Sequence, residues 1–352
     1  MKILCQYDEG GSKFVRTGWK NVCESIGIKW VWWNRSQKPA FDIFSEENPD
    51  IFIGTTYDLC RASVKCIVSR PEMKVALFAS AWGDYVDNLS KTEYPIVLAS
   101  DNEKRLLEKL KRETGKPDFC FIHVGDRYLE PTMENWRSIG IKPIGVLNAA
   151  DMFVYYNGKY KDELSSEISY IGGKWPYKSR NIDNFLVPIL DKFKSKVYGN
   201  QGWHGIPQYL GYIQEENVKD VFASSLVCPN ISESHSTDLG FDCVERLFKA
   251  PIANGLVISD YVDELGDILP SVIRCKTPKE FEEQIKFFVE YPEKGLKYME
   301  KTKQEVLSGH TYHHRVAQMF TELGYKNEAE KCLSNLKGIL KNDLSTNITS
   351  NS

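Results

Sequence analysis

The sequence has 352 residues, of which 42% are hydrophobic and 26% are charged, and its formal net charge is −3 at pH 7. A chain of this length usually folds as two domains, because one hydrophobic core rarely organises more than about 250–300 residues. The small net charge predicts no long-range electrostatic attraction to nucleic acid. A local basic groove is still compatible with this net charge. No apolar stretch approaches the ~20 residues of a membrane-spanning helix, so no membrane span is predicted.

The nine cysteines are an odd number, have irregular spacing and form no C-x-x-C pair. Several lie in apolar runs, as Cys120 does between Phe119 and Phe121. This usage predicts buried free thiols in a reducing compartment. The first residues have a strand-like pattern and are not expected to be a signal peptide. We therefore predict a soluble cytoplasmic protein.

Strand-like apolar runs alternate with helical patterns along the first half of the chain. The predicted strands are 2–6, 28–33, 50–54, 74–79, 95–99, 118–124 and 142–147, and helical patterns include 14–25 and 102–114. Such alternation implies crossover connections between parallel strands. The first half is therefore predicted to form a mostly parallel α/β domain.

Polarity rises at 156–167, where we place a linker, and the alternation then resumes. The predicted strands are 168–172, 196–199, 226–228 and 255–259, the intervening helices are 182–192, 215–223 and 241–250, and the final helices are 279–290, 293–307, 312–323 and 327–340. The predicted fold class is α/β, with two doubly wound Rossmann-like domains facing a cleft. We expect an N-terminal domain at 1–160 with helices 311–340 packing back on it, a C-terminal domain at 161–310, and a disordered tail at 341–352.

A Gly-Gly turn ends the first strand of the predicted C-terminal domain. Gly172 and Gly173 form this turn, and Lys178 and Arg180 follow it at the next helical segment. Glycine lets a backbone approach a ligand closely, helix N-termini point N–H groups at anions, and arginine pairs with phosphate in a fork. The pattern predicts a diphosphate site. The alternative is a routine turn with surface cations, because two glycines are weaker evidence than G-x-G-x-x-G.

A second basic segment lies on the helix predicted at 241–250. Arg246 and Lys249 are three residues apart and share a helical face, and Asn254 follows in the turn before the next strand. We predict that these residues contribute to the same diphosphate site. The alternative is an amphipathic helix with a solvated charged edge.

A short loop at Gly211, Tyr212 and Ile213 precedes the helix predicted at 215–223. Its backbone is predicted to hydrogen-bond a nucleobase edge, and the alternative is a loop with no special role. His310 and His314 have i,i+4 spacing, but no His-Glu-x-x-His motif or third ligand accompanies them. Partly buried histidines are therefore predicted rather than a zinc site, and no metal is expected.

Candidate catalytic carboxylates follow predicted strands of the first half. Asp8 and Glu9 come after the first strand, and Asp84 comes after the strand at 74–79. Parallel α/β sheets bind ligands at the carboxyl ends of strands, and a carboxylate there can accept a proton from an acceptor hydroxyl. Asp84 and Asp8 are the preferred candidates, with ordinary surface solvation as the alternative for each.

Taken together and in order, these motifs resemble the two-domain GT-B glycosyltransferases. The resemblance is to the CgeB-like (spore-maturation) family and, more remotely, to the phage DNA β-glucosyltransferase. The residues that carry it are Tyr170-Ile-Gly-Gly173 with Arg180, Tyr198-Gly-Asn200, the Gly211 loop, Arg246-Leu-Phe248, Ala253-Asn-Gly255 with Asp260, and His310-Thr-Tyr-His-His-Arg315.

The resemblance implies a C-terminal domain that binds a nucleotide-sugar, with a UDP-sugar expected, and an N-terminal domain that binds the acceptor. It implies diphosphate contacts from Arg180 and Arg246, base contacts from the Gly211 loop and an acceptor base at Asp84. No metal or other cofactor is expected, because cationic side chains and a helix dipole can neutralise a diphosphate and the sequence has no Asp-x-Asp motif. The chain departs from the family at Lys249, where a glutamate usually binds the donor ribose, since lysine cannot accept a hydrogen bond. Glu245, one turn earlier, is predicted to point elsewhere on the helix.

Three functions fit this pattern. The first is a metal-independent glycosyltransferase acting on an unidentified acceptor hydroxyl, with a glycan, protein or small molecule favoured over DNA. The second is a non-catalytic nucleotide- or sugar-binding protein on the same scaffold, with Lys249 tuned to another ligand. The third is a DNA-base glucosyltransferase, which needs a basic groove in the N-terminal domain.

Overall fold

The computed structural model describes residues 1–7, 12–83, 98–200 and 202–349. The chain divides into two compact units. The first unit contains the described residues up to Leu147 and from Tyr312 onward, and the second unit contains Asn148–Thr311. No helix among the described residues is long and apolar enough to cross a membrane.

The strands of the two units form two separate parallel sheets. The strands are β1 (Lys2–Gln6), β2 (Lys29–Trp33), β3 (Ile51–Thr55), β4 (Lys74–Phe78), β5 (Phe119–Ile122), β6 (Pro143–Gly145), β7 (Ser166–Ile171), β8 (Ser195–Tyr198), β9 (Ser225–Asn230), β10 (Val257–Asp260) and β11 (Ile273–Cys275). The orders are β2-β1-β3-β4-β5-β6 in the first unit and β11-β10-β9-β7-β8 in the second. The predicted fold class of two parallel-sheet α/β domains is therefore confirmed.

Helices connect the strands of each sheet. The helices are α1 (Ser12–Ser25), α2 (Ala40–Glu47), α3 (Arg61–Val68), α4 (Asp101–Thr114), α5 (Leu129–Met133), α6 (Met152–Tyr155), α7 (Pro176–Asn181), α8 (Val187–Leu190), α9 (Glu215–Ala223), α10 (Ser234–Leu239), α11 (Arg246–Ile252), α12 (Asp263–Ile268), α13 (Pro278–Glu290), α14 (Pro292–Gly309), α15 (Tyr312–Glu322) and α16 (Lys326–Thr349). A π-helical turn at Ile182–Leu186 joins α7 to α8.

Local sequence explains several of these elements. All five residues of β3 are buried, as expected for a strand covered on both faces. Helix α4 begins with a capping box in which the Ser100 hydroxyl accepts from the Glu103 amide at 3.2 Å, and it ends at Gly115 with φ 74°. Gly18 on α1 permits close packing, since a Cβ there would clash with the Tyr312 ring on α15.

The segment predicted as a linker packs on the second unit. The Lys159 amide donates to Asp220 at 2.8 Å, and the Lys161 amide donates to the Ser224 hydroxyl at 2.9 Å. The division between the units consequently lies at residues 147/148 and not at 160/161, because this polar segment makes its hydrogen bonds to α9 and the residue that follows it. The disordered tail expected from 341 is likewise not observed up to Thr349, where α16 ends.

Candidate functional site

The strand order of the second unit reverses between β7 and β9, and the site lies at the carboxyl ends of these two strands. Open α/β sheets bind ligands at such a switch point. Arg246, the first residue of α11, reaches this point. Its Nε and Nη2 donate to the Ile171 carbonyl oxygen at 2.8 and 2.5 Å, and its Nη1 donates to Oδ1 of Asn230 at 3.0 Å. The guanidinium therefore bridges the ends of both strands.

The same guanidinium packs against an aromatic ring. Its central carbon lies 4.5 Å from the ring centroid of Tyr170, a favourable cation–π distance. Within the described ranges, Arg246 makes no ion pair with a carboxylate. Its positive charge is held in place by neutral groups and stays available to a negatively charged ligand.

A second cation, Lys178 on α7, is buried beside the first. Its side chain is 5% exposed, and its Nζ makes no hydrogen bond or ion pair with any residue that the structure describes. Burial lowers the pKa of Lys178, and the charge of Arg246 acts in the same direction, while Glu233 and Asp260 act against it. A buried cation without an ion-pair partner is costly until an anion neutralises it. The pair thus has the electrostatics of an anion site.

Three loops with glycine run side by side at this edge of the sheet. The Gly172 amide donates to the Tyr198 carbonyl at 2.8 Å, and the Gly199 amide donates to the Gly211 carbonyl at 3.0 Å. A Cβ on Gly172 would clash with Nη2 of Arg246, and a Cβ on Gly199 would clash with the Gly172 carbonyl oxygen. Gly211 has φ +91°, which favours glycine. These glycines keep the edge open to a ligand's close approach.

The remaining residues of these loops line the same edge. Gly173 continues the turn after β7. Tyr212 is 61% exposed, and Ile213 is half-buried just before α9. The structure thus brings Gly172, Lys178, Arg246 and the Gly211 segment to one edge of one sheet, and their role in ligand binding stays a prediction.

Arg180 is paired within the protein. Its Nη1 and Nη2 donate to the two carboxylate oxygens of Asp238 at 3.0 and 2.7 Å, and Nη2 also donates to the Ser234 carbonyl at 3.1 Å. The side chain is half exposed. In this arrangement Arg180 links α7 to α10. To contact a diphosphate as predicted, its guanidinium would have to bind Asp238 and the phosphate together or break the ion pair with Asp238.

Lys249 lies one turn along α11 from Arg246, in a cluster of carboxylates. Its Nζ is 3.0 Å from a carboxylate oxygen of Glu245 and 4.6 Å from the ring centroid of Tyr155. The Tyr155 hydroxyl donates to Glu215, and burial together with the charges of Glu215 and Glu245 raises the pKa of Tyr155. The prediction that Glu245 points elsewhere is wrong, because the i,i+4 spacing puts it on the same face as Lys249.

Asn254 lies away from the predicted site residues at the carboxyl ends of the strands. It adopts φ 68°, its Nδ2 donates to the Gly158 carbonyl at 3.2 Å, and its Oδ1 accepts from Lys303 at 2.7 Å. It precedes β10, so it sits at the amino edge of the parallel sheet, opposite Ile171. The structure does not bring it together with Gly172.

Sequence reasoning did not include the polar network at the ends of β9 and β10. Asn230 accepts from Arg246 and donates to the Ser259 hydroxyl at 2.9 Å. Asp260 is fully buried and accepts from the amide and hydroxyl of Ser232 at 2.8 and 2.7 Å; burial raises its pKa, and these hydrogen bonds oppose the rise. The sequence signals were the polar residue at the end of each apolar strand and the place of Asp260 in the family pattern.

The predicted catalytic carboxylates Asp8 and Asp84, with Glu9, lie outside the described residues. Within the described ranges, no group of three or more His, Cys, Asp or Glu side chains could hold a metal ion.

Comparisons with known proteins support this geometry at the level of fold. A family model described as "Glycosyl transferase-like" matches residues 180–321, which include most of the second unit. T4 phage BGT in complex with UDP and Mn²⁺ superposes with a TM-score of 0.53 at 10% identity, covering 96% of this chain and 99% of that one. The chain has the GT-B fold.

Two further solved structures share this fold. OtsA superposes with a TM-score of 0.57 at 9% identity, covering 91% of this chain and 98% of that one. UDP-GlcNAc 2-epimerase from Neisseria meningitidis, bound to UDP-GlcNAc, superposes with a TM-score of 0.50 at 12% identity, covering 92% and 99%. No curated protein sequence matches the chain.

Proposed function

We propose that the protein is a glycosyltransferase that moves a sugar from a nucleotide-sugar donor, a UDP-sugar, to an acceptor hydroxyl. The observation that carries this proposal is the pair of cations Arg246 and Lys178 beside Gly172. Neither has a carboxylate ion-pair partner among the described residues, and both lie at the switch point of a parallel sheet. A diphosphate supplies the ion-pair partner that neither cation has among the described residues.

The proposed chemistry follows from where charge develops. As the acceptor oxygen bonds to the anomeric carbon, its hydroxyl proton passes to a general base, the role predicted for Asp84. The bond from the anomeric carbon to the diphosphate oxygen breaks, and its electron pair leaves with the nucleoside diphosphate. Arg246, fixed by Ile171 and Asn230, stabilises this charge without reorganising, and Lys178 adds a second positive charge. The proposal therefore assigns no role to a divalent metal.

The remaining donor contacts extend the proposal. The turn at Gly172 and Gly173 lies against the diphosphate, and the backbone of Gly211, Tyr212 and Ile213 faces the nucleobase. Two comparisons support a UDP-sugar donor, since T4 phage BGT is described with UDP and the Neisseria epimerase with UDP-GlcNAc. The finer resemblance to the CgeB-like family belongs to the same proposal.

One observation favours a second candidate, a non-catalytic binding protein on the same scaffold. The family resemblance expects a ribose-binding glutamate at position 249, where this chain has Lys249 paired to Glu245 at 3.0 Å. A protein that binds UDP but never releases UDP from a UDP-sugar would fit this candidate.

The test is a thermal-shift titration of the full chain with UDP in the presence of EDTA. Ligand that binds the native state raises the melting temperature by mass action. We expect UDP to stabilise the wild type and the control Lys192→Ala, which removes a surface ion pair with Glu282 that involves none of the site residues. UDP should lose its effect in Lys178→Met. UDP release from UDP-glucose then separates the transferase from the binding protein. Absence of any shift with UDP contradicts the transferase with a UDP-sugar donor and favours the second candidate, with Lys249 tuned to another ligand.

A further inference from the structure

A single carboxylate, that of Glu233, is held beside the helix that supplies the buried lysine of the proposed diphosphate site. Glu233 lies between β9 and α10, and its side chain is 26% exposed. On one side of it, Nδ2 of Asn181 donates to the Ser232 carbonyl at 3.2 Å. On the other side, Nη2 of Arg180 donates to the Ser234 carbonyl at 3.1 Å. Because both donors belong to α7, the backbone of Glu233 is fixed against that helix.

The charges of Glu233 and Lys178 act on each other, although the two side chains do not form an ion pair. Burial raises the pKa of Glu233, and the charge of Lys178 acts against this rise. Neither side chain makes a hydrogen bond with any residue that the structure describes. Buried polar groups are normally hydrogen-bonded, so both side chains point to a ligand. Such a ligand carries negative charge for the lysine and hydrogen-bond donors for the carboxylate.

A buried histidine holds the carboxylate of Glu233 in place. His235 is 4% exposed, its Nε2 lies 2.8 Å from Oδ2 of Asp242, and its Nδ1 lies 3.6 Å from Oε2 of Glu233. The second distance is too long for a hydrogen bond, and Nδ1 has no other partner in the described part of the chain. The contact therefore positions the carboxylate and leaves its oxygens available to accept from a ligand.

We propose that Glu233 determines which donor sugar is bound, and that it selects an uncharged sugar over a uronic acid. This inference rests on the proposed function, because the sugar is bonded to the diphosphate that Lys178 and Arg246 bind. Sugar hydroxyls donate to the carboxylate, which can only accept, and hydrogen bonds to an ionised acceptor are stronger than those between neutral groups. A uronic acid would bring a second carboxylate toward Glu233, and like charges in a partly buried site repel.

Calorimetric titration with UDP, UDP-glucose and UDP-glucuronate tests the inference at about pH 8, where carboxylic acids are ionised. We expect the wild type to bind UDP-glucose at least about tenfold more tightly than UDP-glucuronate. Glu233→Gln removes the charge at nearly constant shape, so this ratio should fall by at least about threefold while the variant still binds UDP. The control Glu282→Gln neutralises a surface carboxylate of the same unit and should keep the ratio of the wild type.

The UDP titration reports on the proposed function, and the ratio of the two sugar nucleotides reports on Glu233. A wild type that binds UDP without preferring UDP-glucose, or a ratio that Glu233→Gln leaves unchanged, would overturn the inference and leave the proposed function standing. Glu233→Asp is the second variant: it keeps the charge and should keep the preference for UDP-glucose, and loss of that preference would also overturn the inference. A wild type that binds none of the three ligands would overturn the proposed function and, with it, this inference.

Discussion

The guanidinium of Arg246 donates two hydrogen bonds to the carbonyl of Ile171, the last residue of β7, at 2.8 and 2.5 Å. This carbonyl lies at the strand end, where the sheet ladder no longer supplies a partner. The arginine therefore completes the strand and, by the same contact, is held at the switch point as a fixed positive charge. Arg246 thus both caps the end of β7 and supplies a positive charge at the switch point.

Arg246→Lys tests whether the fork geometry matters beyond the charge. Lysine keeps the positive charge but cannot bridge Ile171 and Asn230, because its ammonium is a single point. We expect UDP affinity to fall by at least about tenfold, which corresponds to roughly 1.4 kcal/mol. Calorimetric titration measures it, with the surface substitution Arg137→Lys as the control. Unchanged affinity in Arg246→Lys would show that the fork is not used.

Lys178→Met tests whether the buried lysine serves a ligand or the fold. Burial lowers the pKa of Lys178 from 10.5, which shows that its charged form is costly in the folded protein. Removing the charge should therefore stabilise the unliganded protein and weaken UDP binding. The folded pKa is below the unfolded one, so the wild type gains stability as pH rises from the folded to the unfolded pKa, and the variant lacks this gain. Urea unfolding over a pH series measures both. A destabilised Lys178→Met would mean that the lysine is structural.

Gly172→Ala tests the close approach of backbone and arginine. The added Cβ would clash with Nη2 of Arg246 and displace the guanidinium, so UDP binding should fall several-fold. Gly338→Ala is the matched control, since nothing lies within 4 Å of its Cβ and it is inside α16. That control should gain about 0.5–1 kcal/mol of stability, because alanine is the better helix former. Equal UDP affinity in the two variants would argue that the turn does not touch the ligand.

The pair of His235 and Asp242 predicts a pH dependence of stability. Burial opposes protonation of His235, but the hydrogen bond to Asp242 at 2.8 Å and the charges of Asp242 and Glu233 raise its pKa above 6.5. A raised folded pKa gives stability that is full below the unfolded pKa and is lost as pH rises through the folded one. Asp242→Asn tolerates the φ of 73° and should reduce this dependence, because Glu233 still raises the pKa of His235. A constant difference in stability between the two proteins from about pH 5 to about pH 9 would contradict it.

The parts of this protein that a local pattern encodes were predictable. The strand at Lys2–Gln6 follows from an apolar run, and the turn at Gly172 follows from its glycines. The family pattern singled out Arg246 together with the Gly172 turn, and the structure places these two residues in contact. The partnership of Arg246 with Asn230 was not, because it depends on β7 and β9 being neighbours in the sheet.

Two other features could not be predicted from the sequence and became visible only in the folded structure. Asn254 adjoins the basic helix in sequence, yet parallel topology puts a residue that precedes a strand at the edge opposite those that follow one. His123 has no motif around it. Its Nδ1 lies 2.6 Å from the carbonyl oxygen of Val146, so this contact joins the residue after β5 to the residue after β6. In both cases the decisive contact joins residues that are distant in sequence.

The central claim is that Arg246 and Lys178 bind a nucleoside diphosphate, and calorimetric titration with UDP and with uridine tests it most directly. If the claim holds, the wild type binds UDP at least about tenfold more tightly than uridine, and Lys178→Met reduces that ratio while leaving uridine affinity unchanged. Equal affinity for UDP and uridine in the wild type, or a ratio that Lys178→Met does not alter, would contradict the claim.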